Sequence, residues 1–327
     1  MVSYTEITPD EDGQRIDNYL MRQLKGVPRQ HIYKVIRSGE VRVNGGRIKA
    51  RARLKVGDKV RIPPIRQRQA VPIEPQAGMQ ERLLAAVIFE SNDLLVLDKP
   101  QGIAVHGGSS IRSGVVEQLR LATGNQKLEL VHRLDRETSG CLLLAKKPSV
   151  LKALQEEFRS RRVKKIYQLI VAGDWPSGMR TVTAPLQRYE TPWGERRVRI
   201  ARDGQAARTD FEIVDRRSGH TWLQARLHTG RTHQIRVHVN HLGCPIVGDD
   251  KYFGPGRPAE QRQALTRAHS GDRKAEGGER KSAPSLLLHA SRLHIAHQGD
   301  LLKLEAPTPD RFGLFWNGEA LTASAGV

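Results

Sequence analysis

Cysteine is scarce in this chain of 327 residues: Cys141 and Cys244 are the only two, and neither lies in a Cys-x-x-Cys pair. That excludes a disulfide framework. Cys141 sits inside the apolar run Cys141-Leu142-Leu143-Leu144-Ala145 and reads as a buried free thiol, which fits a reducing compartment. Long apolar runs are missing too. None approaches the roughly 20 residues that a membrane-spanning helix needs. The opening Met-Val-Ser-Tyr-Thr-Glu has neither the basic nor the apolar region of a secretory signal. A cytoplasmic protein with no membrane partner is expected. Acid is the third shortage: 35 Asp and Glu stand against 54 Lys and Arg, a formal net charge of +19. An excess of that size points to a polyanionic partner, through phosphate neutralisation and counterion release.

The length sets two domains as the expectation, since about 150 residues per domain is typical. Residues 13–65 read as a self-contained unit. Ile16, Tyr19, Leu20 and Leu24 recur at helical spacing up to Gly26, and Pro28 opens a second helix with Ile32, Val35 and Ile36 on one face. Val41-Arg42-Val43 then runs into Asn44-Gly45-Gly46, a hairpin signal, and Val60-Arg61-Ile62 forms a last strand. Between Arg29 and Arg68 stand 13 basic residues against two acids, Glu40 and Asp58. Residues 66–80 have no hydrophobic period and read as a linker. The expected division is 1–75 with a linker to about 84, then 85–320.

The second part opens on a strand hairpin, Val87-Ile88-Phe89 and Leu94-Leu95-Val96-Leu97. A helix is predicted from Pro148 with Leu151, Leu154 and Phe158 on one face, then a strand at 166–171. Residues 186–202 are basic and poorly periodic, with Trp193-Gly194 as an exposed tip. Another strand at 221–227 leads to a helix marked by Ile235, Val239 and Leu242, and late strands fall at 286–289 and 301–305. Residues 254–284 are charged and Gly-rich and read as a mobile insertion. Strands outnumber helices without regular βαβ alternation. The fold class expected is therefore α+β, with a mixed, mainly antiparallel sheet.

The rest is organised around Val131-His132-Arg133-Leu134-Asp135-Arg136-Glu137-Thr138-Ser139-Gly140. Asp135 stands between two guanidinium side chains, Arg133 and Arg136, so its ionised form is favoured. It falls on a loop between two core strands, where a rigid scaffold commonly presents a reactive group. On spacing alone, a structural ion pair with a neighbouring Arg competes with a reactive carboxylate.

The segment His132-Arg133-Leu134-Asp135-Arg136-Glu137-Thr138-Ser139-Gly140 resembles the signature H-R-L-D-x-x-T-S-G of the RluA-type pseudouridine synthases at every fixed position. Lys99-Pro100-Gln101-Gly102-Ile103-Ala104-Val105-His106, Lys165-Ile166-Tyr167 and Gly230-Arg231-Thr232-His233-Gln234-Ile235-Arg236-Val237-His238 are similar to further motifs of that family, in family order. Three N-terminal stretches resemble the S4 RNA-binding domain: 14–20 (Gln-Arg-Ile-Asp-Asn-Tyr-Leu), 39–45 (Gly-Glu-Val-Arg-Val-Asn-Gly) and 57–60 (Gly-Asp-Lys-Val). The resemblance implies an isomerase that breaks the N1–C1′ bond of a uridine, turns the base and rejoins it through C5, with no cofactor and no metal.

It also implies roles. Asp135 becomes the nucleophile at C1′, or the base that removes a sugar proton. Tyr167 lines the pocket and accepts the C5 proton. Arg236 pairs with Asp135, and Arg231 is the second candidate for that pairing. Ile235 supplies an apolar wall, His132 lies with the substrate, and Arg133 fills the gap left by a flipped-out uridine. Arg29, Lys34, Arg37, Arg42, Arg47, Lys49 and Arg51 are the RNA-binding candidates. Members that join this S4 domain to this catalytic domain act on large-subunit rRNA, so 23S rRNA or its precursor is the implied partner of a monomer. Two other classes compete. One is an rRNA-binding protein without catalysis. The other is a metal hydrolase built on His228, His233, His238 and His241 with Asp249 and Asp250, though these lack an H-E-x-x-H pattern.

Overall fold

A computed structural model describes residues 2–24, 26–65, 73–108, 113–217, 219–252 and 285–318. The chain divides into two compact units, Met1–Glu74 and Pro75–Val327. The 66–72 part of the expected linker, and all of the 254–284 insertion, lie outside the described residues.

In the first unit, β1 (Ser3–Glu6), α1 (Ile16–Gln23), α2 (Arg29–Arg37), β2 (Arg42–Val43), β3 (Gly46–Arg47) and β4 (Lys59–Ile62) follow in order. The strands form an antiparallel sheet in the order β1-β4-β2-β3. Ile16, Tyr19 and Leu20 of α1 pack with Ile32, Val35 and Ile36 of α2 and with Val41, Leu54 and Val60. The β2–β3 hairpin turns on Asn44 and Gly45, both at positive φ (49° and 78°), as a two-residue turn of this kind requires. One carboxylate, Asp17, is buried in this unit. Arg15 holds it in an ion pair and the Tyr33 hydroxyl donates to it at 2.9 Å, so the buried charge is compensated. Strand β1 was not foreseen. Ser-Tyr-Thr-Glu buries no apolar side chain and is held by its ladder to β4.

The second unit begins with α3 (Ala77–Ala85), which corrects the expectation of an unstructured linker to about 84. Only Leu83 of this helix is buried, so its sequence carries almost no periodic signal. Then come β5 (Val87–Glu90), β6 (Leu94–Lys99), α4 (Val115–Thr123), β7 (Glu129–Leu130), β8 (Ser139–Ala145), α5 (Pro148–Arg159) and β9 (Lys164–Ala172). They are followed by β10 (Thr181–Thr183), β11 (Leu186–Glu190), β12 (Arg196–Ile200), β13 (Arg208–Arg217), β14 (His220–Leu227) and α6 (Gln234–His241). The last elements are β15 (Leu288–His297), β16 (Asp300–Glu305) and α7 (Asp310–Asn317). None of the helices described is long and apolar enough to cross a membrane.

A ten-stranded sheet runs β10-β13-β14-β9-β15-β8-β6-β5, with β16 added to β15 and β7 to β8. Its β15–β8 contact is parallel and the other pairs are antiparallel, so the sheet is mixed and mainly antiparallel. Alternate residues of β6 and β8 serve two cores. Leu95, Leu97, Leu142 and Leu144 pack with Leu119 of α4, while Leu94, Val96, Cys141 and Leu143 pack with Leu154 of α5. With both faces covered, β8 is buried along its whole length, which is why it reads as a continuous apolar run. Gly140 is required where β8 meets β15. Its φ is +111°, and a Cβ there would stand 2.3 Å from the Ala290 carbonyl oxygen. Basic residues 186–202 fold as a separate hairpin, β11–β12, whose tip carries Trp193 at 75% exposure.

Candidate active site

The Asp135 loop joins β7 to β8, whose pairing at Leu130 and Leu144 closes its base. The Thr138 N–H donates to the Asp135 carbonyl at 3.1 Å and makes the turn within it. A second clamp lies underneath. Lys99, fully buried at the end of β6, directs Nζ to the carbonyls of Pro100 (2.8 Å), Ile103 (2.9 Å) and Arg136 (3.1 Å). Burial pulls its ammonium down to about 7, against the opposing fields of Glu137 and Asp135. Gln101 adds a third tie, with Nε2 donating to the Glu137 carbonyl at 2.8 Å and to the Leu286 carbonyl at 3.0 Å. The loop is thereby fixed from its backbone, and none of these ties uses the Asp135 carboxylate.

Asp135 is half-buried and sits on the wall shared by two cavities of about 140 and 460 Å³. The smaller is also lined by Tyr167, Ile235, Leu227, Leu288 and Arg133. Tyr167 projects from β9 between two core clusters. Burial raises its hydroxyl pKa above the ordinary phenolic value, and the nearby Asp135 charge adds to that. Its hydroxyl is protonated in the free site. Ile235, 4% exposed, lines the same cavity.

Arg236 needs a correction. Its fork is occupied by Asp249, with Nε to Oδ2 at 2.8 Å and Nη2 to Oδ1 at 2.6 Å. The Tyr252 ring lies 5.1 Å from its guanidinium carbon. Burial works against the charge, but Asp249 and then Asp135 outweigh it and raise the pKa of Arg236. Arg236 thus lies within the field of Asp135 without forming the expected ion pair at contact distance. Arg231, the alternative, gives its Nε to the Ala206 carbonyl at 3.2 Å.

Among the described residues, the basic nitrogen within 4.0 Å of the Asp135 carboxylate belongs to His233, whose Nε2 is 4.0 Å from Oδ2. His233 begins α6 from a left-handed backbone, φ 53° and ψ 22°. Its Nδ1 is 2.6 Å from the Tyr252 hydroxyl, which also accepts the Val198 N–H at 3.1 Å. Nε2 is the ring nitrogen that faces Asp135, and in the tautomer that carries its proton there Nδ1 accepts the Tyr252 hydroxyl. Burial lowers the His233 pKa to about 4 despite the Asp135 charge, so the ring is neutral at physiological pH. Gln234 fixes the start of the helix. Its Oε1 accepts the Thr229 hydroxyl and the Arg231 N–H, and its Nε2 donates to Arg208 and Thr209.

His132 is the second correction. Its ring stacks on Phe158 at 5.0 Å, and Nε2 accepts the Leu143 N–H at 3.1 Å. It braces β8 against α5 and lines neither cavity. Arg133 is exposed at the mouth, and Arg188 of β11 reaches the same place, with Nη2 2.5 Å from the Thr232 hydroxyl. Asp249 and Tyr252 were missed as partners of Arg236 and His233, and Lys99 as the clamp under the loop. The Lys-Pro motif marked Lys99 without showing what it holds.

The histidines of the hydrolase reading disperse. His228 bonds Asp210, His233 bonds Tyr252, and His238 bonds Thr209 and the Ala184 carbonyl. Among the described residues no three His, Cys, Asp or Glu side chains converge as a metal would require. In the first unit, all seven RNA-binding candidates are exposed.

A half-buried carboxylate on a clamped loop, beside a cavity lined by Tyr167, Ile235 and four arginines, in a chain with a strongly basic N-terminal unit, suits an enzyme that acts on a nucleotide of RNA. The comparisons with known proteins agree. Residues 93–241 match the RNA pseudouridylate synthase family and residues 14–60 match the S4 domain. The chain is 43% identical over 311 residues to the ribosomal large subunit pseudouridine synthase C of Salmonella typhi, covering 94% of this chain and 93% of that one. It is 44% identical over 312 residues to the protein of that name from Pasteurella multocida, covering 94% and 90%. A solved structure, human RNA pseudouridylate synthase domain containing 4, superposes with a TM-score of 0.54 at 26% identity, over 72% of this chain and 93% of that one. The chain belongs to the RNA pseudouridylate synthase family, and it is an isomerase that converts uridine to pseudouridine.

Proposed function

We propose that this synthase modifies uridines of large-subunit (23S) rRNA or its precursor in the cytoplasm, acting as a monomer with Asp135 as the catalytic carboxylate. The names and near full-length coverage of its relatives support the substrate. The observation that carries the chemistry is the Asp135 carboxylate on the shared wall of the two cavities, beside Tyr167 and Ile235. The uridine leaves its helix to reach this carboxylate, and exposed Arg133 fills the space behind it. Asp135 attacks C1′ or removes a sugar proton, and the freed uracil turns against Ile235. In either route C5 then bonds to C1′, as the bond to Asp135 breaks or the sugar proton returns, and the C5 proton leaves last, to Tyr167. Burial keeps that hydroxyl protonated, so it gives its own proton to N1 of the uracil, which has lost its bond to C1′. Arg236, locked on Asp249, contributes a fixed positive field at the carboxylate. The basic N-terminal unit, about 1–75, anchors the RNA for the catalytic part, about 85–320.

The test is to map pseudouridines in rRNA from cells lacking this protein, and from the same cells carrying Asp135→Asn. The same large-subunit positions should revert to uridine in both. A complete large-subunit set in the deletion strain would overturn the substrate. A complete set with Asp135→Asn would overturn the residue.

A further inference from the structure

On the outward face of the N-terminal sheet, Arg42 and Arg47, two of the RNA-binding candidates, stand in a row with Tyr4 and Arg61, which have no assigned role. Tyr4 of β1 pairs with Arg61 of β4, Arg61 with Arg42 of β2, and Arg42 with Arg47 of β3. Directly paired residues share a face. One aromatic ring and three guanidinium groups therefore lie in line across all four strands. The opposite face is the core, where Val60 and Ile62, the neighbours of Arg61, are buried.

The arginines are held in place. Arg61 Nη1 donates to the Glu40 carbonyl at 2.6 Å, and Arg42 donates to the carbonyls of Gly39 and Gly45, each at 3.3 Å. Arg47 lies over Gly39, where an added Cβ would come within 2.6 Å of its Nε. Each guanidinium has five N–H donors, so donors remain for a ligand. Tyr4 is 71% exposed beside them. Tyr4, Arg61, Arg42 and Lys59 help line an open groove of about 710 Å³. Of the nearby acids, the Glu40 carboxylate accepts the Ser38 hydroxyl at 2.7 Å, and Glu6 stands opposite Lys59 in the strand register. Tyr4 and Arg61 lie outside residues 14–60, which match the S4 domain, while Arg29 and Lys34 project from α2 instead.

We propose that this face is a stacking subsite for one unpaired nucleotide of the RNA substrate. Its base lies on the Tyr4 ring, and its flanking phosphates lie on Arg61 and Arg42. Every base has a face that stacks on an aromatic ring, while guanidinium groups track the backbone, so the pairing selects single-stranded RNA without reading its sequence. A duplex keeps its bases inside and offers this ring nothing. The subsite rests on the reading that the chain acts on RNA and extends it to the strandedness of the bound segment.

The experiment measures binding of the full chain to a labelled single strand of about 12 nucleotides and to a duplex of similar length, across salt concentrations. Tyr4→Ala should weaken single-strand binding roughly tenfold, the loss of one base–aromatic stack, and leave its salt dependence unchanged. Tyr4→Phe should restore it. Arg61→Gln should lower the salt slope by about one unit. Duplex binding should be unmoved by Tyr4→Ala. Equal single-strand affinity in Tyr4→Ala and wild type, or equal losses on single strand and duplex, overturns the subsite. Failure of the wild-type chain to bind either RNA would instead strike the reading of the substrate, so the two failures are distinguishable. Tyr4 is exposed on an edge strand, so the variants retain the fold, which circular dichroism checks.

Discussion

The ammonium of Lys99 stands 3.1 Å from the carbonyl of Arg136, the residue that follows the Asp135 carboxylate in the chain. A fully buried lysine thus holds the Asp135 loop through its backbone, with two further carbonyls completing its donors. Lys99→Met should keep the fold of the second unit but loosen this loop. A fall in single-turnover rate of tenfold or more is expected, with RNA affinity little changed. Burial lowers the pKa of Lys99 from 10.5 to about 7, so between those values the unfolded chain binds the extra proton. Its contribution to stability therefore rises with pH from about 7 towards 10.5. Denaturant unfolding across that range should show the slope in wild type and lose it in Lys99→Met.

His233 and Tyr252 act as one unit in this account, since the Tyr252 hydroxyl bonds Nδ1 while Nε2 of the same ring faces Asp135. Tyr252→Phe should slow single turnover about tenfold, a modest share of what one positioned proton donor contributes. Combined with His233→Ala, it should cost nothing beyond His233→Ala alone. Additive losses in a double-mutant cycle would show that the two residues act separately.

Much of this arrangement was legible in the sequence, and the parts that were not share a cause. The helices at Ile16–Gln23, Arg29–Arg37 and Pro148–Arg159 announce themselves by period and by capping signals. The run Cys141–Ala145 reads as a buried strand, and it is one, buried along its whole length. Asp135 on its loop followed from the motif and the flanking strands. Strand β1 and helix α3 were missed because neither buries an apolar stripe. The true partner of Arg236 was missed for a different reason. Asp249 lies 13 residues away, past the end of α6, and only the folded backbone selects it over Asp135. His132 misled because a motif fixes residue type without saying whether the side chain serves the substrate or the scaffold.

Gly140 admits no side chain. Gly140→Ala combines a φ of +111° with a contact at 2.3 Å to backbone, where neither neighbour can yield. A loss of about 3 kcal/mol or more is expected, and the variant should unfold at clearly lower denaturant. Wild-type stability would refute the close approach of β8 to β15.

With 13 basic against two acidic residues between Arg29 and Arg68, the N-terminal unit should contribute affinity and little chemistry. Deleting residues 1–74 should raise the RNA concentration needed for turnover and reduce the salt slope of binding. The saturating single-turnover rate should change much less, because Asp135, Tyr167 and Arg236 all belong to the second unit. Unchanged affinity in the truncated chain, or a collapsed saturating rate in a truncation shown to be folded, would contradict this division.

The central claim is that the Asp135 carboxylate performs the chemistry. Asn has nearly the same shape and leaves the backbone ties of the loop to Lys99 and Gln101 untouched. It lacks both the nucleophilic charge and the basicity. The decisive measurement is single-turnover pseudouridine formation by Asp135→Asn at saturating RNA, with RNA affinity and thermal unfolding recorded on the same preparation. The account predicts no detectable product, with affinity and stability close to wild type. A substantial fraction of the wild-type rate in that variant would contradict it.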